Sequence, residues 1–388
     1  MKNILAISYL FPNVERPNHG IFVFNRLKAM SKYANLIVIN PIPWSPVHGF
    51  VDKLKHLSNI PFKTERDGIT IYHPRFFSIP GHFKSIEVVT YKRAVKNVIN
   101  KLNFEFDLID LHWTFPDLPT GDYLSNYYKI PYRVTLRGME AFHEQDGDVR
   151  ETLVAHYLSK VDSIISLSEE MAAAADKIAN TRSKTKVVRN GVDTDAFYYI
   201  DQAECREKLG LPADQKITLG VGALIHRKGF DVVIKSMAGV KSKERLFHFY
   251  IVGAEGPEGD YRAELKRLVK ESNLEEFVHF VGAVPNDSLV DWYNAADVFC
   301  LSSRGEGSPN VLTEALACGC PSVSTKVGSA PDIMESEQNL GILVDVDDHN
   351  NIGLALLKLL EEKSERQRRA EVFGKYTWDW CAKQTFDI

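Results

Sequence analysis

The sequence predicts an α/β fold made of two doubly wound domains in series. Three observations support this prediction. Short runs of β-branched and other apolar residues alternate with segments of helical periodicity. The alternation stops near Asn190-Gly191 and then starts afresh. The 388 residues are too many for one comfortable core but suit two domains of ordinary size.

We expect a parallel sheet in the first domain, residues 1–190, because its short apolar runs are separated by helical segments. The predicted strands are 4–9, 36–40, 69–72, 108–112, 132–136 and 163–168, and the predicted helices include 22–33, 91–102 and 169–179. A short strand over 186–189 leads into the turn signal Asn190-Gly191, where the first domain ends.

The second domain, residues 191–373, repeats the pattern. Its predicted strands are 217–221, 247–252, 278–281, 298–301, 321–325 and 341–344, and its predicted helices include 231–237, 261–272 and 288–295. Each domain is therefore expected to be a sheet covered by helices on both faces.

Composition excludes several classes of function. The formal net charge of -4 gives no indication of nucleic-acid binding. The five cysteines are odd in number and include no Cys-x-x-Cys pair, so they predict neither a disulfide framework nor a zinc site. Residues 1–10 lack a cleavage site and are better interpreted as a buried strand than as a signal peptide. No apolar run approaches the length of a membrane span, and we expect a protein of the reducing cytoplasm.

The most informative stretch is 301–321, which predicts a strand end, a loop, a short helix and a stop. Ser308 can act as N-cap with Pro309 at the first helical position, and Gly319 closes the helix. The first-turn N–H groups of Asn310 and Val311 lie at the positive end of the helix dipole. They predict a site for a phosphate oxygen.

Two glutamates flank this helix start. Glu314 lies more than one turn into the helix, and helical side chains lean toward the N-terminus, so it can reach a ribose attached to the phosphate. Glu306 lies between Gly305 and Gly307, where its carboxylate can contact a sugar on the other side of the ligand. The alternative is that both carboxylates are solvated and the glycines only shape a turn. The helix signals and the preceding strand favour the ligand site.

The first strand of the second domain ends in another ligand-binding pattern. Gly220 and Gly222 allow close approach of a ligand, and Arg227 and Lys228 follow. A diphosphate needs cations because each oxygen taken from water must be compensated. Gly-x-Gly alone is weak, since the third glycine of the dinucleotide fingerprint is missing. Together with Lys228 and the helix at Ser308 it predicts a nucleoside-diphosphate pocket.

Polar residues follow three strands of the first domain. Gly20 precedes the first helix, His112 lies at the end of the strand 108–112, and Arg137 follows the strand 132–136. Ligands of doubly wound sheets bind beyond the carboxyl ends of the strands, so the three together predict a cleft. Taken singly, each has a structural alternative: a turn glycine, a satisfied core histidine and a surface charge.

These residues resemble the retaining GT-B glycosyltransferases of family 4, the group 1 set. The most specific part is Glu-Gly-x-Pro-Asn-Val-x-x-Glu-Ala-x-Ala-Cys-Gly-x-Pro at 306–321. The resemblance implies two Rossmann-like domains that face a central cleft. Residues 1–190 would bind the acceptor, 191–373 would bind the nucleotide sugar, and 374–388 would form a closing helix that returns toward the first domain.

The resemblance also implies roles for matching residues. Glu314 would bind the ribose, Glu306 the donor hexose hydroxyls, Lys228 the diphosphate, the amides around Asn310 and Val311 the distal phosphate, and Gly20 would line the opposite wall. Family members retain anomeric configuration and use no bound metal. The leaving phosphate is thought to accept the acceptor's proton on the same face, a step that needs preorganised charge more than a strong base.

The sequence departs from the family pattern at two positions. Ala223 stands where the family often has arginine, so Arg227 or a single charge must serve the diphosphate. Arg137 stands where the family often has histidine facing the reacting sugar. A guanidinium can donate hydrogen bonds there but cannot shuttle protons at neutral pH. His112 is then the remaining candidate for a nearby imidazole.

The expected function is retaining transfer of a hexosyl unit from a UDP- or GDP-sugar to a glycan or lipid-linked acceptor, in cell-surface polysaccharide assembly. We assign Glu306, His112 and Arg137 as catalytic and Gly20, Gly222, Arg227, Lys228, Ser308, Asn310, Val311 and Glu314 as donor-binding residues, with no cofactor and no metal. The alternatives are a GT-B sugar-nucleotide epimerase, a phosphorylase, which would need a pyridoxal cofactor and a longer chain, and a non-catalytic binding protein.

One helical stretch predicts peripheral contact with the inner face of a membrane. Apolar residues at helical spacing are Ile86, Val89, Tyr91, Ala94, Val95, Val98, Ile99 and Leu102, and the cations Lys84, Lys92, Arg93, Lys96 and Lys101 lie largely off that stripe. With Phe76, Phe77 and Phe83 nearby, the basic face could contact anionic lipid. The alternative is an ordinary sheet-packing helix with a solvated face.

Overall fold

A computed structural model of the chain describes residues 1–46, 55–79, 84–138, 149–241, 246–256, 258–362 and 365–386. The chain forms two compact units. The first comprises Met1–Asn190 and Trp378–Ile388, and the second comprises Gly191–Thr377. The division between them falls at the turn signal Asn190-Gly191. The segment that returns to the first unit starts at Trp378 rather than at residue 374.

The first unit alternates strands and helices. Its elements are β1 (Lys2–Ile7), α1 (Ile21–Met30), β2 (Ala34–Ile39), β3 (Ile42–Trp44), a 3₁₀ turn His56–Asn59, β4 (Lys63–Arg66), β5 (Ile69–Tyr72), β6 (Arg75–Phe77), α2 (Lys84–Ile99), β7 (Leu108–Leu111), α3 (Asp117–Tyr128), β8 (Tyr132–Leu136), α4 (Val149–Leu158), β9 (Ser163–Ser166), α5 (Glu169–Ala179), a 3₁₀ turn Arg182–Lys184 and β10 (Thr185–Val187).

Eight of these strands form one sheet in the order β10-β9-β8-β7-β1-β2-β5-β4. All neighbours are parallel except β4, which runs antiparallel to β5. From β1 the chain goes to β2 on one side and later returns to β7 on the other. The sheet therefore has its switch point between β1 and β7, where a ligand crevice is expected.

Local signals and packing both fix the helices of this unit. The predicted helix 169–179 is confirmed as α5, and the Ser168 hydroxyl caps it by accepting a hydrogen bond from the Met171 amide at 3.1 Å. The last helix of the chain, Trp378–Phe386, also belongs here. It is fastened to the sheet because Arg133 Nη1 donates to the Thr385 carbonyl at 2.8 Å.

The helix predicted at 91–102 is longer and differently packed than expected, since α2 begins at Lys84. Ile86 is 47% exposed and Val89 56% exposed, so these two residues do not share the buried face that Tyr91 belongs to. Phe76 is buried in the core and cannot reach a lipid surface. Phe83 and the Lys84 side chain lie outside the described residues.

The second unit is a six-stranded parallel sheet with helices. Its elements are α6 (Gln202–Leu209), β11 (Ile217–Val221), a 3₁₀ turn His226–Lys228, α7 (Phe230–Lys241), β12 (His248–Val252), α8 (Arg262–Glu271), β13 (Val278–Gly282), a 3₁₀ turn Asn286–Ser288, α9 (Leu289–Ala295), β14 (Val298–Leu301), α10 (Asn310–Ala317), β15 (Ser322–Thr325), α11 (Ala330–Met334), β16 (Gly341–Val344), α12 (His349–Glu361) and α13 (Arg366–Phe373). The final helix of the chain is α14 (Trp378–Phe386).

The strand order of this sheet is β13-β12-β11-β14-β15-β16. It is the Rossmann order, with the switch point between β11 and β14. The predicted strands 217–221, 298–301 and 341–344 are confirmed without change. The predicted stop at Gly319 is also confirmed, because its amide donates to the Leu316 carbonyl at 2.9 Å with φ 73°. No described helix is both long and apolar enough to cross a bilayer.

Candidate functional site

The loops that follow β11 and β14 start side by side, because these strands are neighbours at the switch point of the second sheet. Gly222, Arg227 and Lys228 lie on the first loop, and Glu306 lies on the second. Ligands of open α/β sheets bind in the crevice at such a point. The strand order thus brings together two patterns that are far apart in the sequence.

Hydrogen bonds tie these two loops to each other. The Ser302 hydroxyl donates to the Lys228 carbonyl at 2.9 Å, and the Arg304 amide donates to the Arg227 carbonyl at 2.7 Å. Arg227 Nη1 in turn donates to the Gly305 carbonyl at 2.9 Å. The backbone that carries the predicted cations is therefore fixed relative to the loop that carries Glu306.

Two of the predicted site residues, Lys228 and Glu306, are in direct contact. Lys228 Nζ lies 2.6 Å from Glu306 Oε1, and the Ser303 hydroxyl donates to the same oxygen at 2.7 Å. Arg227 Nη1 lies 3.6 Å from the other carboxylate oxygen. A Cβ at Gly222 would lie 3.2 Å from Cε of Lys228, so the glycine leaves room for the lysine stem. A diphosphate that binds Lys228 must compete for it with Glu306.

Arg227 is held chiefly by Glu258. Its Nε and Nη2 atoms donate to that carboxylate at distances from 2.6 to 3.1 Å, and these hydrogen bonds lower the pKa of Glu258. The Arg227 side chain is 38% exposed, so a phosphate can reach it in competition with Glu258. Ala223 lies against Gly256. A Cβ added to Gly256 would lie 2.8 Å from the Ala223 methyl carbon.

The structure corrects the predicted cap of α10. The helix begins at Asn310, and Pro309 takes the N-cap position with ψ 94°, outside the helix rather than in its first turn. The Ser308 hydroxyl accepts a hydrogen bond from Ser329 Oγ at 3.0 Å instead of capping the helix. Asn310 and Val311 still form the first turn, where amides lie at the positive end of the helix.

Glu314 lies on α10 and receives a hydrogen bond from Tyr293. The Tyr293 hydroxyl donates to Glu314 Oε2 at 2.9 Å. Burial raises the pKa of Glu314 to about 7, although the tyrosine hydrogen bond acts in the opposite direction. The side chain remains partly accessible to solvent. The Glu314 carboxylate can therefore accept hydrogen bonds from a diol. Without such a ligand its ionised form is energetically unfavourable.

Gly20 shapes the loop after β1. It occupies the N-cap position of α1 with φ 69°, and its carbonyl accepts a hydrogen bond from the Val23 amide at 2.9 Å. A Cβ at this position would lie 2.7 Å from the Leu10 carbonyl oxygen. Both the positive φ and the close approach require glycine. The helix begins at Ile21, one residue before the predicted helix 22–33.

His112 and Arg137 form part of a buried network at the ends of β7 and β8. Arg137 Nη2 donates to His112 Nδ1 at 2.9 Å, and His112 Nε2 lies 3.5 Å from Asp110 Oδ2. Asp110 also receives two hydrogen bonds from Arg133, at 3.0 and 2.8 Å. Burial alone would raise the pKa of Asp110, but Arg133 and His112 outweigh it and the pKa falls below its ordinary value.

This network defines what His112 can do. Burial lowers its pKa to about 4, so the ring is neutral at physiological pH. It has no exposed surface, and its acceptor nitrogen is taken by Arg137. The geometry therefore makes His112 a positioning residue for Arg137 rather than a group that contacts substrate. Arg137 is 7% exposed and lies with its guanidinium carbon 5.3 Å from the Phe22 ring centroid.

The predicted residues thus fall into two groups, one in each unit. The second unit contains Gly222, Arg227, Lys228, Glu306, Ser308, Asn310, Val311 and Glu314, and the first unit contains Gly20, His112 and Arg137. Within these groups the structure places Lys228 against Glu306 and Arg137 against His112.

Sequence reasoning missed two residues that belong to these groups. Tyr293 lies beside another aromatic residue on α9, and the apolar content of that helix indicates only core packing. Arg26 is fully buried on α1, between the core residues Val23 and Leu27. An arginine inside an apolar helical stretch is unusual and could have marked this position.

Two family descriptions match separate parts of the chain. Residues 201–375 match "Glycosyl transferases group 1", and residues 56–196 match "Glycosyltransferase Family 4". The chain belongs to the group 1, family 4 glycosyltransferases. The two matches together span most of both units.

The similar proteins agree with this assignment. The glycosyltransferase is 26% identical over 349 residues to the putative teichuronic acid biosynthesis glycosyltransferase TuaC of Bacillus subtilis, covering 87% of this chain and 84% of that protein. Its fold resembles sucrose-phosphate synthase of Thermosynechococcus elongatus, with TM-score 0.78, 21% identity and coverage of 100% and 98%. It also resembles HepE of Anabaena in complex with UDP-glucose, with TM-score 0.73, 18% identity and coverage of 100% and 99%. The fold is GT-B.

Proposed function

We propose that this glycosyltransferase moves a hexosyl unit, with retention of configuration, from a UDP- or GDP-sugar to a glycan or lipid-linked acceptor in cell-surface polysaccharide assembly. The contact between Lys228 and Glu306 at the switch point carries the proposal. The names of two similar proteins support it, since TuaC is named for teichuronic acid biosynthesis and HepE was solved with UDP-glucose.

In this proposal the second unit holds the donor. Glu314 accepts hydrogen bonds from the ribose, and the first turn of α10 faces a phosphate. The diphosphate draws Lys228 away from Glu306, and the released carboxylate accepts hydrogen bonds from the sugar hydroxyls. Because Ser303 still donates to Glu306, the acid stays oriented after the lysine moves.

The reaction step needs charge in fixed positions rather than a base in the protein. As the bond between the sugar and the phosphate breaks, positive charge develops on the ring and negative charge on the leaving phosphate. In this proposal Glu306 stabilises the former and Lys228, its neighbour in the structure, stabilises the latter. The leaving phosphate accepts the acceptor's proton, and the acceptor oxygen bonds to the anomeric carbon on the same face.

The direct test is incubation of the full chain with radiolabelled UDP- and GDP-sugars and a mixture of glycan and polyprenyl-phosphate-linked acceptors. We expect a labelled glycan whose new anomeric proton has the configuration of the donor, and unchanged activity after chelation of divalent metals. An epimerised nucleotide sugar without transfer would favour the epimerase. Binding without any turnover of any donor would favour a non-catalytic role.

We further propose that the first unit contacts a membrane surface through α2 and α3. Arg93 is exposed next to the exposed apolar residues Ile86 and Val89. Lys96 Nζ lies 3.8 Å from the ring centroid of Tyr127, which is itself 57% exposed. Cations beside exposed apolar and aromatic side chains match the interface of an anionic bilayer.

Vesicle co-sedimentation tests this contact. Vesicles of phosphatidylcholine with phosphatidylglycerol should bind the chain, and vesicles of phosphatidylcholine alone should bind it less. Replacing Lys92, Arg93 and Lys96 by glutamine should weaken binding, while replacing the exposed lysines Lys326 and Lys375 of the second unit should not. Equal binding by both sets of variants would exclude this surface.

A further inference from the structure

Two arginines are buried together at the carboxyl ends of strands in the first unit. Arg26 on α1 has no exposed surface, and Arg137 after β8 is 7% exposed. Phe22 lies on the same face of α1 as Arg26, one turn earlier, and its ring lies near the Arg137 guanidinium. Burial, and after it the positive charge of Arg26, lowers the pKa of Arg137.

Most donors of these two side chains have no acceptor among the described residues. Arg26 Nη2 donates to the Val188 carbonyl at 2.8 Å, but its Nε and Nη1 atoms are buried and unpaired. Arg137 Nη2 donates to His112 Nδ1, and its Nε and Nη1 atoms are likewise buried and unpaired. Buried N–H donors of a charged group are strongly destabilising unless an acceptor satisfies them.

The nearby acid does not balance these charges. Asp110 makes a two-pronged ion pair with Arg133 and has only a minor influence on Arg137, so neither Arg26 nor Arg137 forms an ion pair with an acid within the described part of the first unit. Two buried positive charges without a counter-charge are far costlier than the same charges paired with an anion. The arrangement is the one expected where an anion binds.

We propose that Arg26 and Arg137 bind an oxyanion, a carboxylate or a phosphate, carried by one of the two sugar substrates. This inference rests on the proposed function, because it names a chemical property of the substrates of that reaction. A planar guanidinium donates two parallel hydrogen bonds to such a group, and the unpaired Nε and Nη1 atoms of each arginine supply that geometry. His112 orients Arg137, and the segment at Val188 orients Arg26.

The location fits a ligand site as well as the charge does. His112 and Arg137 follow β7 and β8, which are neighbours beside the switch point of the sheet. The Phe22 ring lies 5.3 Å from the guanidinium carbon of Arg137 and can make a cation–π contact with it. Arginine instead of histidine at position 137 would then select a charged substrate over a neutral one.

Calorimetry on the full chain tests the proposal, with inorganic phosphate and methyl glucuronide as anions and methyl glucoside as the neutral counterpart, all at constant ionic strength. Wild-type protein should bind both anions and not the glucoside. Arg137→Gln should weaken anion binding about tenfold or more, because it removes a charge-assisted donor pair. Arg137→Lys keeps the charge and should retain part of the anion affinity. It serves as a control in case the glutamine variant loses binding because it does not fold.

Two control variants locate the anion. Arg182→Gln removes an exposed arginine of the same unit and should change nothing. Lys228→Gln disables the cation of the second unit and should leave methyl glucuronide binding intact. The proposal is overturned if wild-type protein binds neither anion at high millimolar concentration, or if Arg137→Gln binds both as the wild type does.

A comparison of UDP-glucose with UDP-glucuronate then identifies which substrate carries the anion. Tighter binding of UDP-glucuronate that disappears in Arg137→Gln assigns the carboxylate to the donor. Equal binding of the two donors, with free anions still bound, assigns it to the acceptor. Anion binding does not require turnover, so its failure with intact sugar transfer refutes only this inference, and its success without transfer refutes only the proposed function.

Discussion

Replacing Glu314 by glutamine should stabilise the free protein at alkaline pH. The pKa of Glu314 is about 7 in the folded chain against an ordinary value of 4.5, because burial disfavours the charged form. A raised carboxyl pKa contributes stability that is fully present below about 4.5 and is lost as the pH rises through about 7. The difference between the two values corresponds to about 3 kcal/mol of lost stability. Glutamine keeps an acceptor for the Tyr293 hydroxyl and cannot ionise.

The assay is urea unfolding of both proteins at about pH 5 and about pH 8, without nucleotide. At pH 8 the glutamine variant should be more stable by up to about 3 kcal/mol, and at pH 5 by less than about 1 kcal/mol. Glu276→Gln, at an exposed site of the same unit, serves as control and should show no such pH dependence. A Glu314→Gln effect of equal size at both pH values would refute the reasoning, since it would not arise from ionisation.

Three further outcomes are expected. Glu306→Gln should lower turnover by two to three orders of magnitude, or about 3–4 kcal/mol, while the affinity for UDP measured by calorimetry stays the same or rises because Lys228 is released. Glu314→Ala should instead weaken UDP binding, and an equal loss of UDP affinity in both variants would contradict this division of roles. Gly20→Ala should destabilise the protein by about 2 kcal/mol or more in thermal unfolding and Gly68→Ala by about 1 kcal/mol, because φ is positive at both sites but no described atom lies near a Cβ at residue 68. Equal losses of stability in the two variants would exclude the contact with Leu10 as the cause. Asp117→Asn should change stability little at about pH 4 and should become relatively stabilising as the pH rises toward about 8, because burial raises the pKa of Asp117 from 3.8 to about 8 and the wild type loses stability across that range; a pH-independent effect would argue against that ionisation.

Strand positions could be predicted from sequence wherever a short apolar run is bounded by turn residues. The strands 69–72, 132–136 and 298–301 match the structure residue for residue. The helix Asp117–Tyr128 was missed because Pro119 and Gly121 lie inside it, and local propensity argues against a helix there. Its buried face, rather than its propensity, stabilises it.

The contacts among the predicted site residues could be predicted from the sequence only in part. The sequence indicates that Lys228 and Glu306 follow strands, yet only the order of β11 and β14 in the sheet makes them partners. The cap at Ser308 was wrong because a tertiary partner, Ser329, takes its hydroxyl. No local signal could reveal that contact, since it depends on how the loop after β15 folds back.

The hydrogen bond from Arg133 to the Thr385 carbonyl joins two residues of the first unit that the ribosome makes at widely separated times. The first unit needs α14, but the ribosome makes the whole of the second unit before it reaches those residues. During that interval Arg133 lacks one of its three acceptor atoms, and α1 lacks the helix α14 that packs against it. The first unit can therefore reach its complete fold only after the whole of the second unit has been synthesised.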